Sequence, residues 1–200
     1  MKKLRLSLLA LLLLVVSGCS SSHMEVVAPE LVDEHLGADE SAIVFIRATS
    51  YGGGIQAPVA EVNGQELTFV SIVSSYTKAL HKTTPGKHNY VVGGETSSML
   101  EADLAPGKIY YVQVEPFMGL WKARFELIPI IAADLKTESF KKDLGACKWV
   151  QPGATAQLWF EDNLPSMKMK ALEAQKKILT LRAEDGVDTP VEPIIKKKTK

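Results

Sequence analysis

The arrangement of apolar and polar residues along the chain predicts a protein dominated by β-strands. Residues 43–46 read Ile-Val-Phe-Ile, a short apolar run that is typical of a strand buried on both faces. Residues 121–127 alternate apolar and charged side chains, which is the period of a strand with one buried face. Turn residues separate such segments, so we expect a mainly β fold, an antiparallel β-sandwich over residues 41–165.

Turn motifs mark where several of these strands begin. Asn63-Gly64 lies between two apolar segments and predicts a hairpin with a type I′ turn, in which both central residues have positive φ. Pro-Gly-Lys occurs at residues 85–87 and again at 106–108, each time before an alternating aromatic and β-branched segment. Proline suits the first central position of a type II turn and glycine the second, so each motif is expected to start a strand.

The C-terminal part predicts an α-helix over residues 166–184 that completes the fold. Its apolar residues recur every three or four positions and form one stripe, namely Met167, Ala171, Ala174, Ile178 and Leu181. A second apolar set on the opposite side is the candidate partner-binding surface, namely Met169, Leu172 and Leu179. The alternative is a helix that only caps the sheets. Residues 185–200 contain two prolines and end in lysines, so we expect a disordered tail there.

The N-terminus has the layout of an export signal. Three basic residues precede an uncharged apolar run at residues 6–16, which is shorter than the roughly 20 residues of a membrane-spanning helix. The motif Val16-Ser17-Gly18-Cys19 resembles a bacterial lipobox. That resemblance implies cleavage between Gly18 and Cys19 and attachment of a diacylglycerol to the Cys19 thiol. The alternative is an ordinary secretory signal that leaves Cys19 as a plain thiol.

The lipobox also implies where the protein is held. Ser20 stands where an aspartate would favour retention in the inner membrane, so the resemblance indicates lipid anchoring at the periplasmic face of the outer membrane. Residues 19–40 are polar and lack a sustained apolar period, and we expect them to form a flexible tether.

Charge and cysteine content bear on the kinds of partner and of thiol chemistry that the protein can have. Removal of residues 1–18 takes three basic residues from a sequence with 23 basic and 23 acidic side chains, which leaves a net charge of −3. This balance argues against a nucleic-acid partner, which would require a concentrated basic face. Lipidation of Cys19 leaves Cys147 as the only free thiol, and we expect it to be buried beside Trp149. An intermolecular disulfide is the alternative for Cys147.

The sequence offers few candidate residues for catalysis, metal binding or phosphate binding. His81 and His88 flank a turn and could face each other across a hairpin, but metal ligands to complete a site are missing nearby, so we expect neither a metal nor a cofactor. Residues 52–54 are three glycines that lead into a predicted strand rather than a helix, which argues against a phosphate-binding loop. The sequence contains no recognised catalytic motif.

Residues 41–131 resemble a family of uncharacterised bacterial lipoprotein domains, the DUF2846-like lipoproteins. The resemblance is carried by the AIVFIR strand, the hairpin at Asn63-Gly64 and the two Pro-Gly-Lys segments. It implies a compact sandwich and no established catalytic residues. We therefore expect a non-enzymatic outer-membrane lipoprotein that acts as an adaptor for another envelope protein.

Two other functions stay open at this point. One is an envelope hydrolase, or an inhibitor of one, whose polar residues meet only in the folded chain. The other is a glycan- or lipid-binding lipoprotein that uses Tyr110, Tyr111 and Trp121 as stacking surfaces, although aromatic residues in strands usually belong to a core.

Overall fold

The structure is a computed structural model that describes residues 23–94, 98–118 and 123–195. Within these ranges the fold is mainly β, with two mixed sheets and two α-helices. The strands are β1 Met24–Val27, β2 Ser41–Arg47, β3 Ala57–Asn63, β4 Glu66–Val73, β5 Thr77–Thr83, β6 Gly86–Val92, β7 Met99–Leu104, β8 Ile109–Met118, β9 Ala123–Pro129, β10 Lys148–Pro152 and β11 Ile178–Leu181. The α-helices are α1 Glu138–Ala146 and α2 Ala156–Ala174, and short 3-10 helices cover Pro29–Leu31, Asp134–Lys136 and Ala183–Asp185.

The larger sheet has six strands in the order β1-β10-β5-β2-β8-β9. Strand β2 lies inside it and is buried along its whole length, which confirms the predicted strand with two buried faces. Ile43 and Phe45 project into the core shared with the second sheet, whereas Val44 and Ile46 pack with residues of α1 and β10 on the opposite face. This double coverage explains the continuous apolar run.

The second sheet has five strands in the order β11-β7-β6-β3-β4. The expected antiparallel arrangement holds only in part: the sheets are mixed, because β2 and β8, β5 and β10, and β7 and β11 pair in parallel. Each parallel pair joins strands that are distant in sequence, and the intervening chain crosses over the fold. Local alternation of side chains does not reveal such crossovers.

Large aromatic and aliphatic side chains from both sheets form the main core. Phe45 of the larger sheet meets Tyr90 of the smaller one edge to face, with 5.6 Å between the ring centroids. Leu100, Tyr110 and Phe125 belong to the same cluster and are almost completely buried. The two sheets therefore pack through one shared apolar core.

The predicted turns are present, with one difference in geometry. The hairpin joins β3 and β4, but its central residues are Gly64 and Gln65, and only Gly64 has positive φ, at 65°. Glycine at the first central position fits a type II′ turn rather than the expected type I′. Both Pro-Gly-Lys motifs start strands as predicted, and Gly86 and Gly107 both have positive φ.

The expected tether over residues 19–40 is wrong for its described part. Strand β1 pairs antiparallel with β10, and Val26 lies opposite Val150. Farther on, Lys82 of β5 donates a hydrogen bond to Asp33 at 2.7 Å. Four residues suffice for an edge strand when a partner strand is already in place, which a search for sustained apolar periods overlooks. Gly18 and Cys19 lie outside the described residues.

The predicted helix over residues 166–184 is wrong at both ends. Helix α2 begins ten positions earlier, at Ala156, and continues through Pro165. Phe160 and Met167 anchor it on both sides of the proline. Beyond Ala174 the chain turns and becomes β11, so a spacing that fits a helical stripe there belongs to a strand paired with β7.

The expected disorder over residues 185–200 is wrong up to residue 195. Val187 forms an isolated bridge with Ile109, and the amide of Val191 donates to the hydroxyl of Tyr111 at 2.8 Å. The amide of Ile194 donates to the carbonyl of Lys141 at 2.9 Å. These contacts fasten the segment across the outer side of the larger sheet, and residues 196–200 lie outside the described part.

Candidate functional site: the outer face of helix α2

One face of α2 attaches the helix to the smaller sheet. Its buried residues are Ala156, Phe160, Met167, Ala171 and Ala174, and they pack with Ala60, Val91 and Met99. Phe160 contacts Phe69 with 5.2 Å between ring centroids. The approach is close at Gly93, where a Cβ would lie 2.5 Å from Met167 Sδ. The inward half of the predicted two-sided helix, namely Met167, Ala171 and Ala174, is therefore confirmed.

The opposite face of α2 carries an exposed apolar stripe, which we call the outer stripe and define as Leu158, Met169 and Leu172. Their exposed fractions are 63, 63 and 68%. At 100° per residue the three side chains fall within about 60° of arc, directly opposite the buried face. They extend over roughly 21 Å of helix. Exposed apolar residues aligned in this way are typical of an interaction surface rather than of scattered surface hydrophobics.

A groove runs beside the outer stripe, between α2 and the hairpin of β3 and β4. It has a volume of about 290 Å³ and is lined by Val62 and Leu67 from the hairpin and by Ala171 and Leu172 from the helix. Lys168 and Gln175 stand at its polar side. Leu172 thus belongs to both the stripe and the groove, which makes one apolar surface with a ridge and a cleft.

The structure brings two of the three predicted partner-binding residues together. Met169 and Leu172 lie on the outer stripe, whereas Leu179 lies on β11, half-buried against the main core. Sequence reasoning missed Leu158 because residues 41–165 were assigned to the β-sandwich and the helix was expected to begin only at residue 166. The signal was present, since Leu158 precedes Met169 by eleven residues, which is three helical turns.

His81 and His88 come together, although not across a hairpin. They lie on β5 and β6, which belong to different sheets, and both face Glu61 of β3. His88 Nδ1 is 2.7 Å from Glu61 Oε1, and His81 Nε2 is 3.9 Å from Glu61 Oε2. Both rings contact the ring of Tyr90. Within the described residues no group of three or more His, Cys, Asp or Glu side chains is arranged to hold a metal ion.

Each ring nitrogen of His88 has a hydrogen-bonding partner. Its Nε2 lies 2.8 Å from the carbonyl oxygen of Thr84, which can only accept, so Nε2 carries a hydrogen. Its Nδ1 lies 2.7 Å from Oε1 of Glu61, on the neighbouring strand of the same sheet. Glu61 therefore contacts His88 of its own sheet and His81 of the other sheet.

Lowering the pH is expected to destabilise the protein through His81. Burial lowers the pKa of His81 below the usual 6.5, with the nearby His88 adding to the effect and Glu61 opposing it. The unfolded chain then binds more protons than the folded chain as the pH falls through 6.5, so stability is full above that pH and decreases below it.

Urea unfolding between about pH 7.5 and about pH 5.5 tests this expectation. His81→Gln should flatten the decline in the free energy of unfolding, whereas His35→Gln, at an exposed histidine, should leave it unchanged. An equally steep decline in the His81→Gln variant would show that another group carries the pH dependence.

Cys147 is buried, as predicted, beside Leu144 and Trp149. Burial raises the pKa of its thiol to about 12, and its Sγ lies 3.6 Å from the carbonyl oxygen of Arg47. A thiol that stays protonated and enclosed is a poor nucleophile and has little access to a second chain.

The residues considered for glycan stacking do not form an open surface. Tyr110 and Tyr111 are buried, and their hydroxyls accept hydrogen bonds from the amides of Ala105 and Val191. Trp121 lies outside the described residues. The glycine loop at residues 52–54 does not cradle an anion either, since the carbonyls of Tyr51 and Gly52 point at the guanidinium of Arg47.

Comparisons with known proteins do not place the chain in a family. No helix in the described ranges is both long and apolar enough to span a bilayer. No family model matches the chain, and no curated protein gives a significant match. The resemblance of residues 41–131 to uncharacterised lipoprotein domains therefore stays a prediction.

Proposed function

We propose that the chain is a non-enzymatic lipoprotein, anchored through Cys19 to the periplasmic face of the outer membrane, that binds an envelope protein through helix α2. Its folded part is a β-sandwich of two mixed sheets with α2 on the outside of the smaller one. The outer stripe is the contact surface, and the partner presents apolar side chains to it.

The exposure of Leu158, Met169 and Leu172 is the observation that carries this proposal. A helix that only caps a sheet needs one apolar face, which α2 already has in its buried residues. The second apolar face adds nothing to the fold, and it keeps three large side chains in water. Covering it with a partner would recover the free energy of their burial.

The position of β1 sets the distance from the proposed anchor. Four residues lie between Cys19 and Met24, the first residue of β1, and the five Cα-to-Cα steps span at most about 18 Å in a fully extended chain. The folded domain would therefore sit close to the lipid headgroups rather than at the end of a long stalk. A partner embedded in, or lying on, the same membrane lies within reach of α2.

Polar substitution of the outer stripe is expected to abolish partner binding without unfolding the protein. The variant Leu158→Glu/Met169→Glu/Leu172→Glu places three charges on a surface that a partner would have to desolvate, and we expect recovery of the partner from solubilised envelope to fall more than about tenfold. Since all three positions are exposed, the thermal midpoint should change little.

Leu31→Glu is the matched control, because Leu31 is also an exposed leucine, at 73%, but lies far from α2 in the sequence and on the 3-10 helix after β1. The control should recover the partner as well as the wild type does. If the stripe variant and the control recover the same proteins in the same amounts, the outer stripe is not the contact surface.

A further inference from the structure

A cavity of about 480 Å³ lies on the larger sheet and is lined by other residues than the outer stripe. We call it the β1 cavity. Its walls are the segment from Val26 to Pro29, the end of α1, the start of β10 and the C-terminal residues Pro193 and Ile195. Most of these walls are apolar, and the volume falls in the range of small-molecule sites.

A buried ammonium group, Lys78 of β5, forms part of the wall. Lys78 is only 4% exposed, its Nζ donates to the carbonyl of Leu144 at 2.8 Å, and it lies 4.6 Å from the ring centroid of Trp149. Within the described residues no acidic side chain lies within 4.0 Å of Nζ. A buried cation therefore faces one carbonyl and one aromatic ring, and it keeps donors that these two contacts do not use.

Two acidic groups, Cys147 and Glu34, act electrostatically on Lys78. Burial raises the pKa of the Cys147 thiol to about 12, so the thiol is neutral. Burial also raises the pKa of Glu34, the acid whose charge acts on Lys78. Burial lowers the pKa of Lys78 itself, as expected for an ammonium whose charge is incompletely balanced. An anion beside Nζ would correct this imbalance.

We propose that the β1 cavity binds an aliphatic monocarboxylate, with the carboxylate at Lys78 Nζ and the hydrocarbon chain along the apolar walls. The charged head satisfies the buried ammonium by a charge-assisted hydrogen bond. The chain takes the space between Val27, Trp149 and Ile195. This inference concerns a different surface from the outer stripe and does not depend on the proposed partner.

Calorimetric titration of residues 19–200 carrying Cys19→Ala, so that no acyl group of the chain competes, tests the site with decanoate and decanol as probes. The two molecules share the hydrocarbon chain and differ in the head group. We expect decanoate to bind at least about tenfold more tightly than decanol, which is the effect of a charged hydrogen bond in a buried site. Equal affinities, or no binding of either molecule, would overturn the proposal.

Three variants locate the binding. Lys78→Met should reduce decanoate affinity to that of decanol. Val26→Glu adds a negative charge at the exposed rim and should weaken decanoate more than decanol, and it keeps the test valid if Lys78→Met does not fold. Ile178→Glu makes the same kind of change at an exposed residue of β11, in the other sheet, and should leave both affinities unchanged. Equal weakening by Val26→Glu and Ile178→Glu would contradict the site.

Discussion

Replacing Arg47 with alanine is expected to lower the free energy of unfolding by about 3–5 kcal/mol, the largest loss we expect from a single side chain. Arg47 is completely buried at the end of β2, and its guanidinium lies 5.1 Å from the ring centroid of Phe125. It donates to the carbonyls of Ile55, Tyr51 and Gly52 at 2.5 to 2.8 Å. Alanine would remove this donor from the carbonyls of Ile55 and Tyr51 and open a void beside Phe125, whereas the Gly52 carbonyl would keep its hydrogen bond from the Ile55 amide.

Chemical denaturation measures this loss, and two variants define its cause. Arg182→Ala removes an exposed arginine and should change stability by less than about 0.5 kcal/mol. Arg47→Lys keeps the charge but not the planar set of donors, so it should fall between the wild type and Arg47→Ala. If Arg47→Ala were as stable as Arg182→Ala, the loop that follows β2 would not depend on the guanidinium.

Replacing Cys19 with alanine is expected to move nearly all of the protein from the membrane fraction. The proposed anchor holds the chain by several acyl groups, each of which contributes about 0.8 kcal/mol per buried methylene. Fractionation of cells after lysis without detergent, followed by intact-mass analysis of the recovered chain, measures both location and lipidation.

The other cysteine is the matched control for this experiment. Cys147→Ala removes a thiol that is buried in the fold, so the protein should remain in the membrane fraction with its acyl groups. An unacylated wild-type chain, or a Cys19→Ala chain that still sediments with the membrane, would contradict anchoring through Cys19.

Local signals in the sequence predicted much of the secondary structure but not the topology. The apolar run of β2 and the two Pro-Gly-Lys turns depend on neighbouring residues, and all three predictions are confirmed. Which strands pair depends on contacts between distant segments, such as Ala42 of β2 beside Ile109 of β8. A hydrophobic period identifies the buried face of a strand but not its neighbour, so the parallel pairs could not be predicted.

Helix α2 shows how one period can fit two structures. Met167, Ala171 and Ala174 were correctly assigned to a buried helical face, but Ile178 and Leu181 continue the same spacing on a strand. Residues 175–177, between the two elements, contain neither glycine nor proline to mark the end of the helix, and the buried Phe160 holds the part of the helix that precedes Pro165. Tertiary contacts therefore decided both boundaries.

The candidate sites differ in how far the sequence reveals them. Met169 and Leu172 share an element, so helical spacing alone identifies them as neighbours. Glu61, His81 and His88 come from three strands in two sheets. The β1 cavity is lined by the first and last described segments of the chain together with β5 and β10. Lys78 lies in a segment that mixes apolar and polar residues as many strands do, so the sequence does not distinguish it from an exposed lysine. Only the fold buries its side chain.

Site-specific photocrosslinking in living cells tests the proposed binding face most directly. A photoreactive residue placed at Met169 should give one major adduct with an envelope protein, whereas the same residue at exposed Leu31 should not give that adduct. The adduct at position 169 should also disappear when Leu158 and Leu172 are both changed to glutamate. Absence of an adduct at position 169, or the same adducts at both positions, would contradict the account.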